Sequence, residues 1–350
     1  MEKSEPASSE TSGPPPERRL GMRRVATDDL TIRRVRRGRG FSYVAGDGSA
    51  IRDARMLRRL KSLAVPPAYD NVCYATDPSA HLQAVGRDAA GRLQYRYHPR
   101  WEKLREERKA RHLMRLVDTL PRIRRAVTQH LASAEPVRDF ALAAVVELVA
   151  STAIRSGSEE YARANGTRGA ATLLKSNVEV AGEKIVLSFR AKGGKKVEKE
   201  VHDARLAAAI EKLRGIPGRR LFQYRDDAGE VRAIRARDVN EFLRTIAGAR
   251  VSLKDFRTLC ASALVLDRLA RATPAKSERA RRRQVLDAIR LAADDLANTP
   301  AICRKSYVHE TVLTAFENGV LERFAPALNG GRSAAKRERL MAKVLATAGA

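Results

Sequence analysis

Hydrophobic patterning changes period along this chain, and that change constrains the fold more than any other feature. Between residues 21 and 100 the apolar stretches are short and aromatic-rich, as in Phe41-Ser42-Tyr43-Val44 and Val72-Cys73-Tyr74-Ala75. Turn sequences separate them: Gly46-Asp47-Gly48, Val65-Pro66-Pro67, Asp77-Pro78 and Ala90-Gly91. Such punctuation predicts a β-rich region, with one short helix over Ala54–Leu63. After Trp101 the spacing becomes helical. Leu113, Leu116, Val117 and Leu120 share a helical face until Pro121, which is expected to interrupt it. Val137, Phe140, Ala141, Ala144, Val145, Leu148 and Val149 form a second stripe that ends just before Arg155-Ser156-Gly157. Alternation returns over residues 177–202, through Val178, Val180, Ile185, Leu187, Phe189, Val197 and Val201. This predicts a small antiparallel sheet that turns at Gly182 and at Gly193-Gly194. Helices are expected from there to the end.

The fold class that follows is α+β. A small β-rich N-terminal domain occupies residues 21–105, and a larger, mainly α-helical domain with a small antiparallel sheet occupies residues 106–328. Residues 1–20, rich in Glu, Ser and Pro, read as a disordered tail, and residues 329–350 as a basic helical tail. A length of 350 residues accommodates two such cores.

Charge narrows the partners. The chain carries 68 Lys and Arg against 41 Asp and Glu, a net charge of +27. That field attracts polyanions, and neutralising phosphates supplies most of non-specific nucleic-acid affinity. No apolar run is long enough to span a bilayer, and no long amphipathic helix presents Trp or Phe to one. The N-terminus lacks an apolar leader core. The 3 cysteines, Cys73, Cys260 and Cys303, lie far apart and read as reduced thiols. A cytoplasmic, nucleic-acid-associated protein is therefore expected. No Cys/His pair has zinc spacing, so no zinc site is expected; no other cofactor is expected either.

Four short segments could carry chemistry. Arg155 follows an apolar helix, so its planar, permanently charged fork starts from packed structure and can grip phosphate oxygens. Lys192 stands at a hairpin tip, in Arg190-Ala191-Lys192-Gly193-Gly194-Lys195-Lys196, where an ammonium could protonate a leaving oxygen. Lys254 and Arg257 are three residues apart at a helix start, on one face, where the helix N-terminus also favours anions. Tyr307 lies about two turns into a helix opened by Thr299-Pro300, between Arg304-Lys305 and His309. A phenol is a weak nucleophile at neutral pH and needs positive charge beside it. Taken singly, each has a plain alternative: a surface ion pair, a solvated hairpin, a packed aromatic.

In combination and order, these residues resemble the type IB DNA topoisomerases, specifically the compact bacterial and poxvirus-like branch. The resemblance runs from about Ile32 to Leu321 and includes several longer stretches. These are Leu63-Ala64-Val65-Pro66-Pro67-Ala68-Tyr69, residues 86–99 around Gln94-Tyr95-Arg96-Tyr97, Ile154-Arg155-Ser156-Gly157-Ser158-Glu159-Glu160-Tyr161-Ala162 and Pro217-Gly218-Arg219-Arg220-Leu221-Phe222-Gln223-Tyr224. The resemblance implies the catalytic fold shared by these enzymes and the tyrosine recombinases. It also implies a tyrosine that cuts one DNA strand through a 3′-phosphotyrosyl link and rejoins it, without ATP or metal. Tyr307 would be the nucleophile, Arg155 and Arg257 the transition-state cations, Lys192 the general acid and Asn298 a phosphate-oxygen donor. Gln94, Tyr95 and Tyr97 would reach the major groove, and Gly157, Tyr161 and Lys254 the DNA backbone. Arg33, Arg34 and Arg36 read as a phosphate-contacting strand. A monomer clamping double-stranded DNA between two domains is expected.

Two positions depart from that pattern. Poxvirus and eukaryotic members carry histidine nine residues before the tyrosine, where this chain has Asn298. Many bacterial members carry glycine at the position of Ala191. Two rival readings remain at this point. Tyrosine recombinases share the Arg…Lys…Arg…Tyr order but normally read His-x-x-Arg where this chain has Lys254-x-x-Arg257, and their N-terminal domain is a helical bundle. A non-catalytic DNA-binding protein on the same fold is the other.

Overall fold

The computed structural model describes residues 21–328 and 334–348; the segment read as an N-terminal tail, 1–20, lies outside them. The chain divides into two compact units, residues 1–109 and 110–350.

The first unit is built on five antiparallel strands in the order β2-β1-β3-β4-β5. They are β1 (Ile32–Arg37), β2 (Gly40–Val44), β3 (Asp70–Tyr74), β4 (Leu82–Arg87) and β5 (Leu93–Tyr97), with α1 (Ala54–Ser62) between β2 and β3. Asp53 caps α1 by accepting the Met56 N–H, and Leu60 packs among Ile32, Tyr43, Val72 and Tyr74. The β4–β5 turn shows how local sequence closes a hairpin. The Asp88 carboxylate accepts the N–H groups of Ala90 and Arg92, and Arg87 donates to the Gly91 carbonyl.

The second unit begins within α2 (Pro99–Leu131), which runs unbroken through Pro121 rather than stopping there. An interior proline costs about 3 kcal/mol. Beyond it, however, Ile123, Val127 and Leu131 are buried, and each such side chain contributes about 1.5–3 kcal/mol. Packing therefore outweighs the lost hydrogen bond. α3 (Arg138–Thr152) is apolar all round and buried along its length, so it forms the centre of the main core. α4 (Glu159–Asn165) follows, then the predicted sheet, with β6 (Val178–Ala181), β7 (Lys184–Arg190) and β8 (Lys196–His202) in that order.

After α5 (Ala204–Arg214) comes a hairpin that helical periodicity does not reveal, β9 (Gln223–Arg225) with β10 (Val231–Ala233). Its turn repeats the Asp88 device: Asp226 accepts the N–H groups of Ala228 and Glu230, and Arg225 donates to the Gly229 carbonyl. The remaining helices are α6 (Ala236–Ala247), α7 (Leu253–Ala270), α8 (Glu278–Asp295), α9 (Pro300–Tyr307), α10 (Glu310–Glu317) and α11 (Ala334–Ala348). α11 falls in the stretch read as a basic tail. Its Leu340, Met341, Val344 and Leu345 are buried in the main core, where it packs on α7. The Lys and Arg residues around that apolar stripe conceal it in composition.

Candidate active site

Arg155 is held by a turn, not by the helix before it. α3 ends at Thr152, Ala153 takes the left-handed conformation at φ 52, and the chain reverses. The Arg155 carbonyl then accepts from the Ala170 N–H at 2.8 Å, and the Ser156 carbonyl from the Ala171 N–H at 2.9 Å. Gly157 sits at φ +88, where a side chain would be strained and would meet the Thr172 hydroxyl at 2.7 Å. Gly169 packs so tightly that a Cβ would stand 2.5 Å from both the Arg155 carbonyl oxygen and the Gly157 nitrogen. Sequence reading missed Gly169; only the fold brings it against Arg155. Gly169→Ala is expected to push the Arg155 loop out of place, lowering stability in urea unfolding by about 1–3 kcal/mol and slowing any reaction that uses Arg155. Unchanged stability together with unchanged rate would refute this role.

Lys192 stands at the β7–β8 connection, a short turn over Lys192–Gly194 in which Gly193 and Gly194 adopt φ 78 and 75. The Ala191 N–H donates to the Lys195 carbonyl at 2.7 Å, closing the hairpin. Ala191 itself has an ordinary extended backbone and is buried, so an alanine is accommodated there. The exposed Lys192 ammonium lies 5.2 Å from the centre of the Tyr161 ring.

Ser252 caps α7. The Asp255 carboxylate accepts from the Ser252 N–H and hydroxyl, fixing the first turn. Lys254 then faces outward, while Arg257 turns inward and is only 3% exposed. Its guanidinium donates to the Ala153 carbonyl and, at 3.2 Å, to the Leu296 carbonyl. One buried arginine thus ties the end of α3 to the end of α8.

From Leu296 the chain passes through Ala297, left-handed at φ 49, into Asn298. The Asn298 N–H bonds the Ala293 carbonyl at 2.8 Å, and its Oδ1 accepts from Arg155 at 2.6 Å. Its Nδ2, buried, has no partner among the described residues. Thr299 caps α9 and Pro300 occupies its first turn, so Tyr307 falls on its last residue. The Ser262 hydroxyl donates to the Tyr307 carbonyl and accepts from the His309 N–H, both at 3.0 Å, and pins the helix end. The Arg257 guanidinium carbon sits 4.9 Å from the Tyr307 ring centre.

These elements converge on an open cleft of about 320 Å³. Arg155, Arg168, Lys192, Lys254 and Arg257 line it beside Gly157, Tyr161 and Tyr307, and among the described residues no carboxylate does. Burial would push the Tyr307 phenol up. The charge and hydrogen-bonding reach of Arg257, with the charges of Arg155 and Lys254, outweigh burial and leave the phenol below its ordinary value of 10.0. Burial also pushes two thiols up, Cys303 to about 11 and Cys260 to about 12. Among the described residues, no group of three or more His, Cys, Asp or Glu is placed to hold a metal ion. Nor is any helix long and apolar enough to cross a membrane.

The expected contacts in the first unit divide. Tyr95 and Tyr97 share one face of the edge strand β5 and stack with ring centres 6.1 Å apart. Gln94, by strand alternation, points to the other face, where its amide donates to Asp88 at 2.9 Å. Arg33 and Arg36 are exposed on β1. Arg34 departs from the expectation of a phosphate contact, because its guanidinium is held by the carbonyls of Val65, Pro66 and Tyr69 and lies over Phe41. Local patterning cannot distinguish an arginine with free donors from one whose donors the fold has taken.

The chain resembles known proteins over most of its length. Residues 99–323 match the family described as eukaryotic DNA topoisomerase I, catalytic core. Residues 40–88 match the bacterial DNA topoisomerase IB N-terminal domain. The chain is 28% identical over 294 residues to a DNA topoisomerase 1B of Acanthamoeba polyphaga mimivirus, covering 82% of this chain and 88% of that protein. It is 24% identical over 234 residues to the DNA topoisomerase 1B of vaccinia virus (strain Copenhagen), covering 65% of this chain and 70% of that one.

Proposed function

This chain belongs to the type IB DNA topoisomerases, in the branch shared by bacterial and poxvirus-like enzymes, and from that premise we propose that Tyr307 is its nucleophile. Its activity is that of a DNA topoisomerase IB, an isomerase. In the proposed mechanism Tyr307 first loses its phenolic proton to solvent, and the phenolate oxygen attacks a backbone phosphorus of duplex DNA. A P–O bond to tyrosine forms at the 3′ side, and the bond from phosphorus to the 5′ oxygen breaks. Lys192 gives a proton to the departing 5′ oxygen. The nicked strand turns about its intact partner, and the 5′ hydroxyl then reverses the attack as its proton returns to Lys192. The phosphodiester energy stays in the phosphotyrosyl bond, so no nucleotide is consumed.

The observation that carries this reading is the depressed phenol of Tyr307 in a cleft lined by cations and, among the described residues, by no carboxylate. Charge on the two non-bridging oxygens grows in the transition state, and fixed guanidinium groups from Arg155 and Arg257 suit it without reorganising. Gly157, Tyr161 and Lys254 border the same cleft and fit contacts to the DNA backbone. Tyr95, Tyr97, Arg33 and Arg36 are candidate DNA contacts of the first unit; Gln94 serves there only if it leaves Asp88. The same reading takes the protein as a monomer that clamps duplex DNA, because every member of the Tyr307 cluster comes from one chain.

The test is a supercoiled plasmid incubated with EDTA and without ATP. A ladder of relaxed topoisomers, and a denaturation-resistant adduct that maps to Tyr307, are expected. Absence of both would reject the proposal. Asn298 adds a graded prediction. Its unpartnered Nδ2 is one neutral donor for a phosphate oxygen, so Asn298→Ala should slow single-turnover cleavage by roughly 10- to 100-fold. Asn298→His should introduce a dependence on pH near 6.5 that the asparagine enzyme lacks. Identical pH profiles would argue against a phosphate contact at this position.

A further inference from the structure

We propose that Arg168 is an additional phosphate-binding cation of the cleft, contacting the DNA phosphate that neighbours the scissile one. The inference rests on the Tyr307 reading and extends it to a residue outside the Arg155, Lys192, Lys254, Arg257 and Asn298 set. Arg168 is half-buried and lines both the open cleft and the small recess behind Arg155 and Arg257. No ion pair or side-chain hydrogen bond engages its guanidinium among the described residues. Most other half-buried arginines of the second unit are occupied: Arg220 pairs with Glu159, and Arg214 bonds the Val178 carbonyl. Arg155 itself donates to Asn298.

The structural work at this position belongs to the backbone. The Arg168 N–H donates to the Arg190 carbonyl at 2.7 Å, next to the Lys192 hairpin. The residues that follow, Gly169 to Ala171, clasp the Arg155 loop. This segment is therefore a strut between the general-acid hairpin and the Arg155 turn, and its side chain is free to face substrate. An unpaired guanidinium crowded by other cations is unfavourable until an anion arrives, and phosphate accepts its two-pronged hydrogen bonding. In the proposed mechanism the scissile group already takes Arg155, Arg257 and Asn298 as donors, so the adjoining phosphate is the one assigned to Arg168.

Binding to a short duplex is measured across a salt series in the Tyr307→Phe background, where no cleavage intervenes. Arg168→Met keeps the side-chain length and the backbone bonds. It should lower the slope of log affinity against log salt by about one, the signature of a single lost phosphate contact. Arg168→Lys should restore most of the slope. Arg163→Met, at an exposed position of α4 outside the cleft, should leave it unchanged. A wild-type slope for Arg168→Met, or an equal loss for Arg163→Met, would overturn the proposal. Should the wild-type protein neither relax plasmid nor form an adduct, the Tyr307 mechanism fails, while the salt slope still reports whether Arg168 binds phosphate.

Discussion

Tyr307→Phe is expected to abolish covalent DNA adduct and plasmid relaxation, a loss on the order of 10⁶-fold or to below detection, while duplex binding and thermal stability persist. Only the phenolic oxygen is removed. The helix end stays in place because Ser262 bonds the backbone carbonyl of Tyr307, not its side chain. The aromatic ring remains available to the Arg257 guanidinium. A phenylalanine enzyme that still cuts DNA would mean another nucleophile. The thiols are poor candidates, since Cys260 and Cys303 are held protonated by burial. The same phenol sets a pH dependence. Its pKa is lowered from 10.0, so at any given pH more phenolate is present than in a free tyrosine. Single-turnover cleavage should therefore rise with pH and level off below pH 10.0, the ordinary phenol value. Lys254→Ala removes one of the charges that depress the phenol, so the plateau should move to higher pH. A profile that Lys254→Ala leaves in place would separate Lys254 from the ionisation of Tyr307.

Arg257→Ala carries the second large effect, and it should appear in two measurements at once. Chemically, in the proposed mechanism the variant loses one fixed cation facing the transition state, worth about 10²- to 10³-fold in cleavage rate. Structurally, it leaves the carbonyls of Ala153 and Leu296 without their donor in a buried place. Each unsatisfied buried group costs about 1–3 kcal/mol. The ends of α3 and α8 should loosen together, and with them Arg155 and Asn298, so the rate loss should exceed that of the missing charge alone. Arg257→Lys keeps the charge but cannot span both carbonyls with a rigid fork, so it should recover little of either loss. Thermal melts beside cleavage rates check this. A variant with wild-type stability and only a rate defect would show that the two carbonyls are satisfied in some other way.

Much of the candidate site's layout was legible in the sequence because it depends on short spacings. Thr299-Pro300 announces the start of a helix, and the spacing to Tyr307 then sets two turns. Lys254 and Arg257, three apart after Ser252, fall on the first turns of one helix as the capping pattern requires. The alternation of Val178 to Val201 became three paired strands with turns at the predicted glycines. Less legible were features whose cause lies far away in sequence. Pro121 looks like a helix end until the burial of Ile123, Val127 and Leu131 is counted. The β9–β10 hairpin is too short for periodicity to reveal, and its signal was the Asp226 turn that copies the one at Asp88. The basic residues of α11 conceal four core positions.

By itself, the sequence determined where strands give way to helices, the order of the candidate site residues and the family the chain belongs to. Periodicity, capping and turn chemistry act over a few residues, so a linear reading captures them. Only the tertiary structure decided which charged donors are still available. Arg34 gives its guanidinium to three carbonyls of a distant segment, Arg257 holds two carbonyls while its Nε has no partner among the described residues, and the Arg168 side chain holds none; no local pattern separates the three. Only the fold brings Gly169 within Cβ range of Arg155, or places Gln94 and Tyr95 on opposite faces of one strand with Asp88 occupying the first. The physical reason is the same in each case. Hydrogen-bond satisfaction and close packing are settled by neighbours in space, and for this cleft those neighbours come from the ends of α3 and α8, the β7–β8 hairpin and the first turns of α7.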